Sequence, residues 1–258
     1  MRRPVAVVFV VSAAAVLAAG CASAPSPSIS GSPSAAAGQH SSSSAVPAAP
    51  ATSSKRSTEP LPDAAAILKE ASVTTADAHS VHLALSVTGT VENMAVTALD
   101  ADVTRRPAPA ARGYAKIAYR GAPAYVRFAV SGGDFFVSQD NGRWIDYGPA
   151  GNLYDAAGIL SPGTGLADIL TDFVDPEVDG RDVVDGVHTV RISGEISAAA
   201  ATRIVPQLRV AKRTPCTVWI QEAADHQLVA LRLAAGDDAV QMNFSNWNAP
   251  VAIATPVR

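Results

Sequence analysis

The sequence predicts an α+β domain, one antiparallel sheet with helices gathered on one face. Two observations carry this reading. After residue 80, apolar side chains alternate with period two along many short runs, separated by glycine-rich turns. Helical spacing is confined to three places, at 63–78, within 153–175 and at 197–208. No internal repeat or second linker interrupts 61–258, so this stretch reads as one domain.

Pro62 and Asp63 open the first helix, which places Ile67, Leu68, Ala71 and Ala78 on one face. From 81 the period changes to two, and Leu83, Leu85 and Val87 alternate with His82, Ala84, Ser86 and Thr88. Runs at 95–105, 112–120, 123–131 and 134–139 continue the pattern. Leu99, Ala101 and Val103 share one face, as do Ala115, Ile117 and Tyr119, and Val126, Phe128 and Val130. Gly132-Gly133 and Asn141-Gly142 read as turns.

Residues 153–175 break the alternation. They carry Leu153, Tyr154, Ile159, Leu160, Leu166, Ile169, Leu170, Phe173 and Val174, with Pro162, Gly163 and Gly165 separating two short helices. A strand pair around 177–195 turns at Asp185-Gly186. Ser197 is placed to cap a helix over 197–208, which Pro206 should bend or shorten. Strands near 215–222, 227–235 and 238–247 complete the domain.

The N-terminus is of another kind. Arg2 and Arg3 precede an apolar run over 4–19, then Gly20 and Cys21, so 1–20 reads as a signal peptide. Ala18-Ala19-Gly20-Cys21 resembles a bacterial lipobox, which makes Cys21 the lipidation site. The position three before the cysteine is Ala18, where Leu, Val or Ile is usual. Residues 21–60 form a disordered linker: 22–60 hold 13 Ser, 9 Ala and 6 Pro, too little apolar surface to offset ordering. As a flexible coil this linker spans roughly 35 Å, a tether above a membrane.

Composition excludes several classes. The hydrophobic fraction is 48% with only 5% aromatic, so alanine and valine dominate the apolar count. Net charge is −3, which gives no electrostatic footprint for nucleic acid. Two cysteines, Cys21 and Cys216, are too few for a disulfide framework. His40, His79, His82, His188 and His226 form no metal-ligand motif, and neither a G-x-S-x-G nor a phosphate loop occurs. No metal, cofactor or catalytic residue is expected. Cys216 reads as a buried strand residue, Asp225-His226 as a hairpin turn, and Trp144, Trp219 and Trp247 as packing residues.

The stretches 146–170 (DYGPAGNLYDAAGILSPGTGLADIL), 180–197 (GRDVVDGVHTVRISGEIS), 218–228 (VWIQEAADHQL) and 240–248 (VQMNFSNWN) resemble the mycobacterial LppX/LprA/LprF/LprG lipoproteins. The leading 61–72 and 80–89 fit as well. The resemblance implies a strongly curved antiparallel sheet, a half-barrel, with helices on its concave face enclosing an apolar cavity, as in carriers of the LolA/LolB type. It implies binding of an acylated lipid or glycolipid and its transport across the periplasm toward the outer membrane, with no enzymatic residues. The expected location is the periplasmic side of the cell membrane, held by the N-terminal lipid anchor. The expected form is a monomer, with an envelope lipid transporter as a further partner.

Inward strand positions then become cavity-lining candidates: Leu83, Leu85, Val87, Leu99, Val103, Ala115, Ile117, Val126, Phe128 and Val130. Ile159, Leu166, Ile169, Leu170 and Phe173 join them from the helices. From composition alone the same residues make an ordinary packed core. Unfilled volume costs about 24 cal/mol per Å³, so a cavity needs a ligand to fill it. Two rival readings stand beside the carrier: a tethered adaptor with a packed core, and a lipid-modifying enzyme for which no acid–base pair is visible.

Overall fold

The structure is a computed structural model that describes residues 60–91, 94–119, 121–138, 142–223 and 225–256. The signal segment, Cys21 and the linker up to residue 59 lie outside it, as do Asn141 and the side chain of Tyr119. Among the described residues the strands are β1 (Ser80–Thr88), β2 (Val96–Thr104), β3 (Ala110–Tyr119), β4 (Ala122–Ser131), β5 (Asp134–Ser138), β6 (Trp144–Pro149), β7 (Val174–Val184), β8 (Val187–Ile196), β9 (Thr214–Gln221), β10 (Leu228–Ala235) and β11 (Asp238–Ser245). The helices are α1 (Ala64–Asp77), α2 (Leu166–Thr171) and α3 (Ala198–Ile204), with 3-10 turns at Ala150–Asn152, Ala156–Leu160 and Pro206–Leu208.

All these strands join one antiparallel sheet in the order β6-β5-β4-β3-β2-β1-β11-β10-β9-β8-β7. It is two meanders joined where the last strand pairs with the first. The two edge strands, β6 and β7, are therefore consecutive in sequence. The connection between them, 150–173, has to pass from one edge to the other. It carries two of the 3-10 turns and α2, and it packs on β2, β3 and β4 and against α1 and α3.

Local chemistry starts each helix. The Asp63 carboxylate accepts from the Ala66 amide at 3.0 Å and opens α1, whose Ile67, Leu68, Ala71 and Thr75 are buried on one face. Asp155 accepts from the amides of Ala157 and Gly158 and starts the 156–160 turn. Only five residues then remain before Ser161-Pro162, so this segment stays a 3-10 turn rather than a second full helix. Gly165 precedes α2 because a Cβ there would lie 2.4 Å from the Ile159 carbonyl oxygen and 2.7 Å from that of Ser161. Ser197 accepts from the Ala200 amide, and α3 ends at Ile204, two residues before Pro206. The expected single helix over 197–208 is thus divided at the proline, which has no N–H to donate.

Register aligns the inward side chains in rows across the sheet. One row runs Met242, Leu85, Leu99, Ala115, Val126, and another runs Phe244, Leu83, Ala101, Gly113, Phe128, Val137. Phe128 stacks on Phe135 with ring centroids 5.2 Å apart. β6 has no counterpart in the sequence reading: Trp144, Ile145 and Asp146 are all half-buried on an edge strand, so no alternation marks it. β7 begins at Val174, three residues before the expected start, with Asp175 in the left-handed region and a bulge following.

The opposite face carries charged clusters. On it Asp182 accepts from Arg191 at 2.8 Å and from the Trp219 indole at 2.9 Å. His82 sits between Asp102 at 2.9 Å and Asp100 at 3.4 Å. Partial burial would lower the His82 pKa, but the two carboxylates more than offset it, and the net shift is upward from 6.5. NMR titration is expected to place His82 above 6.5, and Asp102→Asn to move it down. The pairing stabilises the fold fully below 6.5 and is lost as pH rises through the folded-state value.

Candidate functional site

The helix layer and the inward sheet face meet in one continuous apolar cluster. Leu83, Leu85, Leu99, Val103, Ala115, Phe128, Val130, Ile159, Leu166, Ile169 and Leu170 are fully buried in it. Val87, Ile117, Val126 and Phe173 are partly buried and pack against it. Every position singled out from the sequence therefore falls in one layer. Coverage is unequal: Val87, Ile117 and Val126 share the thinner end, where β1 and β3 finish and β4 begins.

The sequence reading missed the other half of this face. Val190, Ile192, Val218, Ile220, Leu231, Leu233, Val240 and Met242 are buried in the same cluster. Their alternation within 218–220 and 240–244 is as clear as that of β1 and was available as a signal.

Among the described residues three buried polar atoms in or beside the helix layer have no hydrogen-bond partner: Thr75 Oγ1 on α1, Tyr154 Oη ahead of the 156–160 turn, and Gln207 Oε1 in the last 3-10 turn. Each such atom costs about 1–3 kcal/mol when left unpaired. Gln207 does donate from its amide nitrogen to the Leu153 carbonyl. Burial first, and the Asp155 charge second, push the Tyr154 hydroxyl pKa well above its ordinary value. It stays a neutral donor.

A cleft of about 180 Å³ opens between α1 and the crossover. Ser72, Thr75, Arg105, Ser161, Asp168 and Thr171 supply polar groups, while Ile159 and Leu166 form its apolar floor. Ser72 Oγ donates to the Ala167 carbonyl at 2.9 Å and ties α1 to α2. Two further clefts, of about 200 and 300 Å³, lie around Trp144 and Arg112. There the guanidinium carbons of Arg112 and Arg127 sit 5.8 and 6.0 Å from the Trp144 ring.

Cys216 is 1% exposed on β9, and burial pushes its thiol pKa well up. Iodoacetamide at pH 8 is expected to leave it unmodified until denaturant unfolds the domain, as mass spectrometry would read. Trp219 and Trp247 are engaged through their indole N–H groups with Asp182 and the Leu228 carbonyl. Among the described residues no cluster of three or more His, Cys, Asp or Glu could hold a metal ion. No described helix is long and apolar enough to cross a membrane.

These features define a class: an α+β domain whose helices cover the apolar face of one antiparallel sheet. The chain belongs to the LppX/LprA/LprF/LprG lipoprotein family, whose pattern matches residues 63–253. It is 39% identical over 214 residues to the lipoarabinomannan carrier protein LprG of Mycobacterium leprae, covering 82% of this chain and 90% of that one. It is 34% identical over 208 residues to LprF of Mycobacterium bovis, named as a candidate diacylated glycolipid transporter, covering 76% and 79%. The crystal structure of LprF from Mycobacterium bovis superposes with a TM-score of 0.70 at 33% identity, over 77% of this chain and 99% of that one. LppX of Mycobacterium tuberculosis gives 0.59 at 27% identity, over 74% and 98%. The curated relatives are named as carriers or transporters, not as enzymes.

Proposed function

We propose that this chain is a cell-envelope lipoprotein that takes the acyl chains of a lipid or glycolipid between its helix layer and the inward face of its sheet. Acylated Cys21 holds it on the periplasmic side of the membrane, and the linker lets the domain move cargo toward the outer membrane, received from or passed to an envelope transporter. The domain works as a monomer, and the sheet curls into a half-barrel around the cargo. An eleven-stranded sheet is at the size where open sheets curl.

The observation that carries this reading is the layering. Helices α1 and α2 rest on the inward face through apolar side chains. Among the described residues the polar links holding α1 in place are few. They are Ser72 to the Ala167 carbonyl, Thr74 to the Asp225 carbonyl at 2.6 Å, and Glu70 to His226 at 3.2 Å. Lifting the layer exchanges apolar contact with helices for apolar contact with acyl chains. Burying an acyl chain of about fourteen methylenes is worth on the order of 11 kcal/mol relative to water, and a bilayer offers nearly the same. Loading and release are then close to balanced, which suits a carrier.

A vesicle assay tests this. The full chain should extract a fluorescent diacyl lipid from donor vesicles and deliver it to acceptors in proportion to protein concentration. A chain that neither extracts nor delivers would return the reading to the tethered adaptor with a permanently packed core.

A further inference from the structure

The connection between β8 and β9 concentrates positive charge. The chain has no Asp or Glu between Glu195 and Glu222, while Arg203, Arg209, Lys212 and Arg213 fall within 203–213. The whole chain carries −3, so this positive charge is local. All four side chains are exposed, and none makes an ion pair among the described residues. The inner side of the same segment is apolar. Ala200, Ala201, Ile204, Val205 and Leu208 are buried in the core cluster, and α3 packs against α2. The cations are therefore presented on a packed support.

Strand register fixes where the segment sits. Ile196, the last residue of β8, lies opposite Thr214, the first of β9. The same end of the sheet continues through Leu233 opposite Cys216, Ala235 opposite Asp238, Ala239 opposite Thr88 and Val96 opposite Ile117. This is the end at which Val87, Ile117 and Val126 are only partly covered. The β10–β11 turn beside it carries Asp237 and Asp238, and Asp238 accepts from the Thr90 amide at 2.9 Å. The positive rim is confined to the β8–β9 connection.

Charge without an apolar anchor selects the kind of partner. Among the described residues none of the exposed large apolar side chains falls in 197–213. A protein interface draws most of its affinity from buried aromatic and apolar anchors. An anionic bilayer needs only cations near its surface, each worth about fivefold in affinity. We infer that Arg203, Arg209, Lys212 and Arg213 dock this end of the domain on the anionic phospholipid surface of a bilayer, with the thinly covered end of the helix layer turned toward the membrane that supplies the cargo. The inference rests on the carrier reading and deepens it: it names the surface through which cargo enters and leaves.

The test uses the full chain as Cys21→Ser, so that no acyl anchor holds it on every vesicle. Binding is compared on vesicles of phosphatidylcholine alone and on vesicles with a third of the lipid replaced by phosphatidylglycerol. The anionic vesicles are expected to bind at least tenfold tighter, a preference that high salt abolishes. The triple variant Arg203→Gln/Lys212→Gln/Arg213→Gln leaves Arg209 in place, because its φ of 44° is a left-handed backbone. It is expected to weaken binding to anionic vesicles at least tenfold, with neutral vesicles and the melting temperature unaffected. Arg203→Lys/Arg213→Lys keeps the charge and should keep the affinity within about twofold. Equal binding to both vesicles would overturn the docking surface. So would a preference that survives the triple variant. Tighter binding to soluble polyglutamate than to anionic vesicles, lost in the triple variant, would make the rim a site for an acidic protein and overturn its assignment to a bilayer. Transfer of a fluorescent diacyl lipid between vesicles separates the two readings. The triple variant is expected to slow transfer from anionic donors at least fivefold and to leave transfer from neutral donors unchanged. Docking without any transfer would keep the surface and remove the carrier reading. Transfer from anionic donors that ignores the three cations would overturn the surface and keep the carrier.

Discussion

Replacing Ala115 by tryptophan is expected to cut lipid loading at least tenfold in a protein that still folds. Ala115 is 2% exposed and stands on β3 between Leu99 of β2 and Val126 of β4, in the row that crosses the middle of the inward face. The 156–160 turn packs on the same strands. An indole at this position fills the space that acyl chains would need once the helices lift. In the closed form it overpacks the layer, at a cost of typically 1–3 kcal/mol. A domain with the usual 5–15 kcal/mol of stability tolerates that. Lipid occupancy by native mass spectrometry reads the loading, and circular dichroism checks the fold. Ala115→Leu is the milder companion, expected to reduce occupancy less. Normal loading in folded Ala115→Trp would take this row out of the binding volume.

Gly113→Ala is expected to have the largest effect on stability, a loss of roughly 3 kcal/mol or more. Gly113 faces Ala101 across the β2–β3 pair. A Cβ there would lie 2.0 Å from the Asp100 carbonyl oxygen and 2.6 Å from the Ala101 Cα. Both obstacles are backbone, so relief requires the two strands to move apart at the centre of the inward rows. Gly121→Ala is the control. Its φ is +79° and no atom lies near its added Cβ, so its cost is confined to the left-handed conformation, roughly 1–2 kcal/mol. Urea denaturation should show the midpoint falling further for Gly113→Ala with the slope m unchanged. A smaller loss at 113 than at 121 would contradict the close approach of β2 and β3.

Legibility in the sequence followed physical cause. β1 to β4 have one face buried and one in solvent, so their alternation was explicit, and their inward residues could be named before any coordinates. The turns at Gly132-Gly133 and Asp185-Gly186 were equally plain, because both residues of each have positive φ. β6 left no trace because it is a half-buried edge. The β11–β1 pairing, which closes the sheet order, is a contact between the two ends of the domain and has no local signature. The cleft between α1 and the crossover was invisible for the same reason. Ser72, Thr75, Arg105 and Asp168 belong to separate elements, and none of them forms a motif. The unpartnered Thr75 hydroxyl can be recognised only once burial is known. The expectation of an anchor at Cys21, by contrast, rests on the sequence alone, since residues 1–59 lie outside the described structure.

The central claim is that the layer between helices and sheet accepts acyl chains. The most direct measurement is native mass spectrometry of the full chain isolated from a mycobacterial envelope, followed by lipid identification after denaturation. The account predicts a discrete, stoichiometric acylated lipid released on unfolding. A bare protein mass that persists after incubation with envelope lipid extract would contradict it.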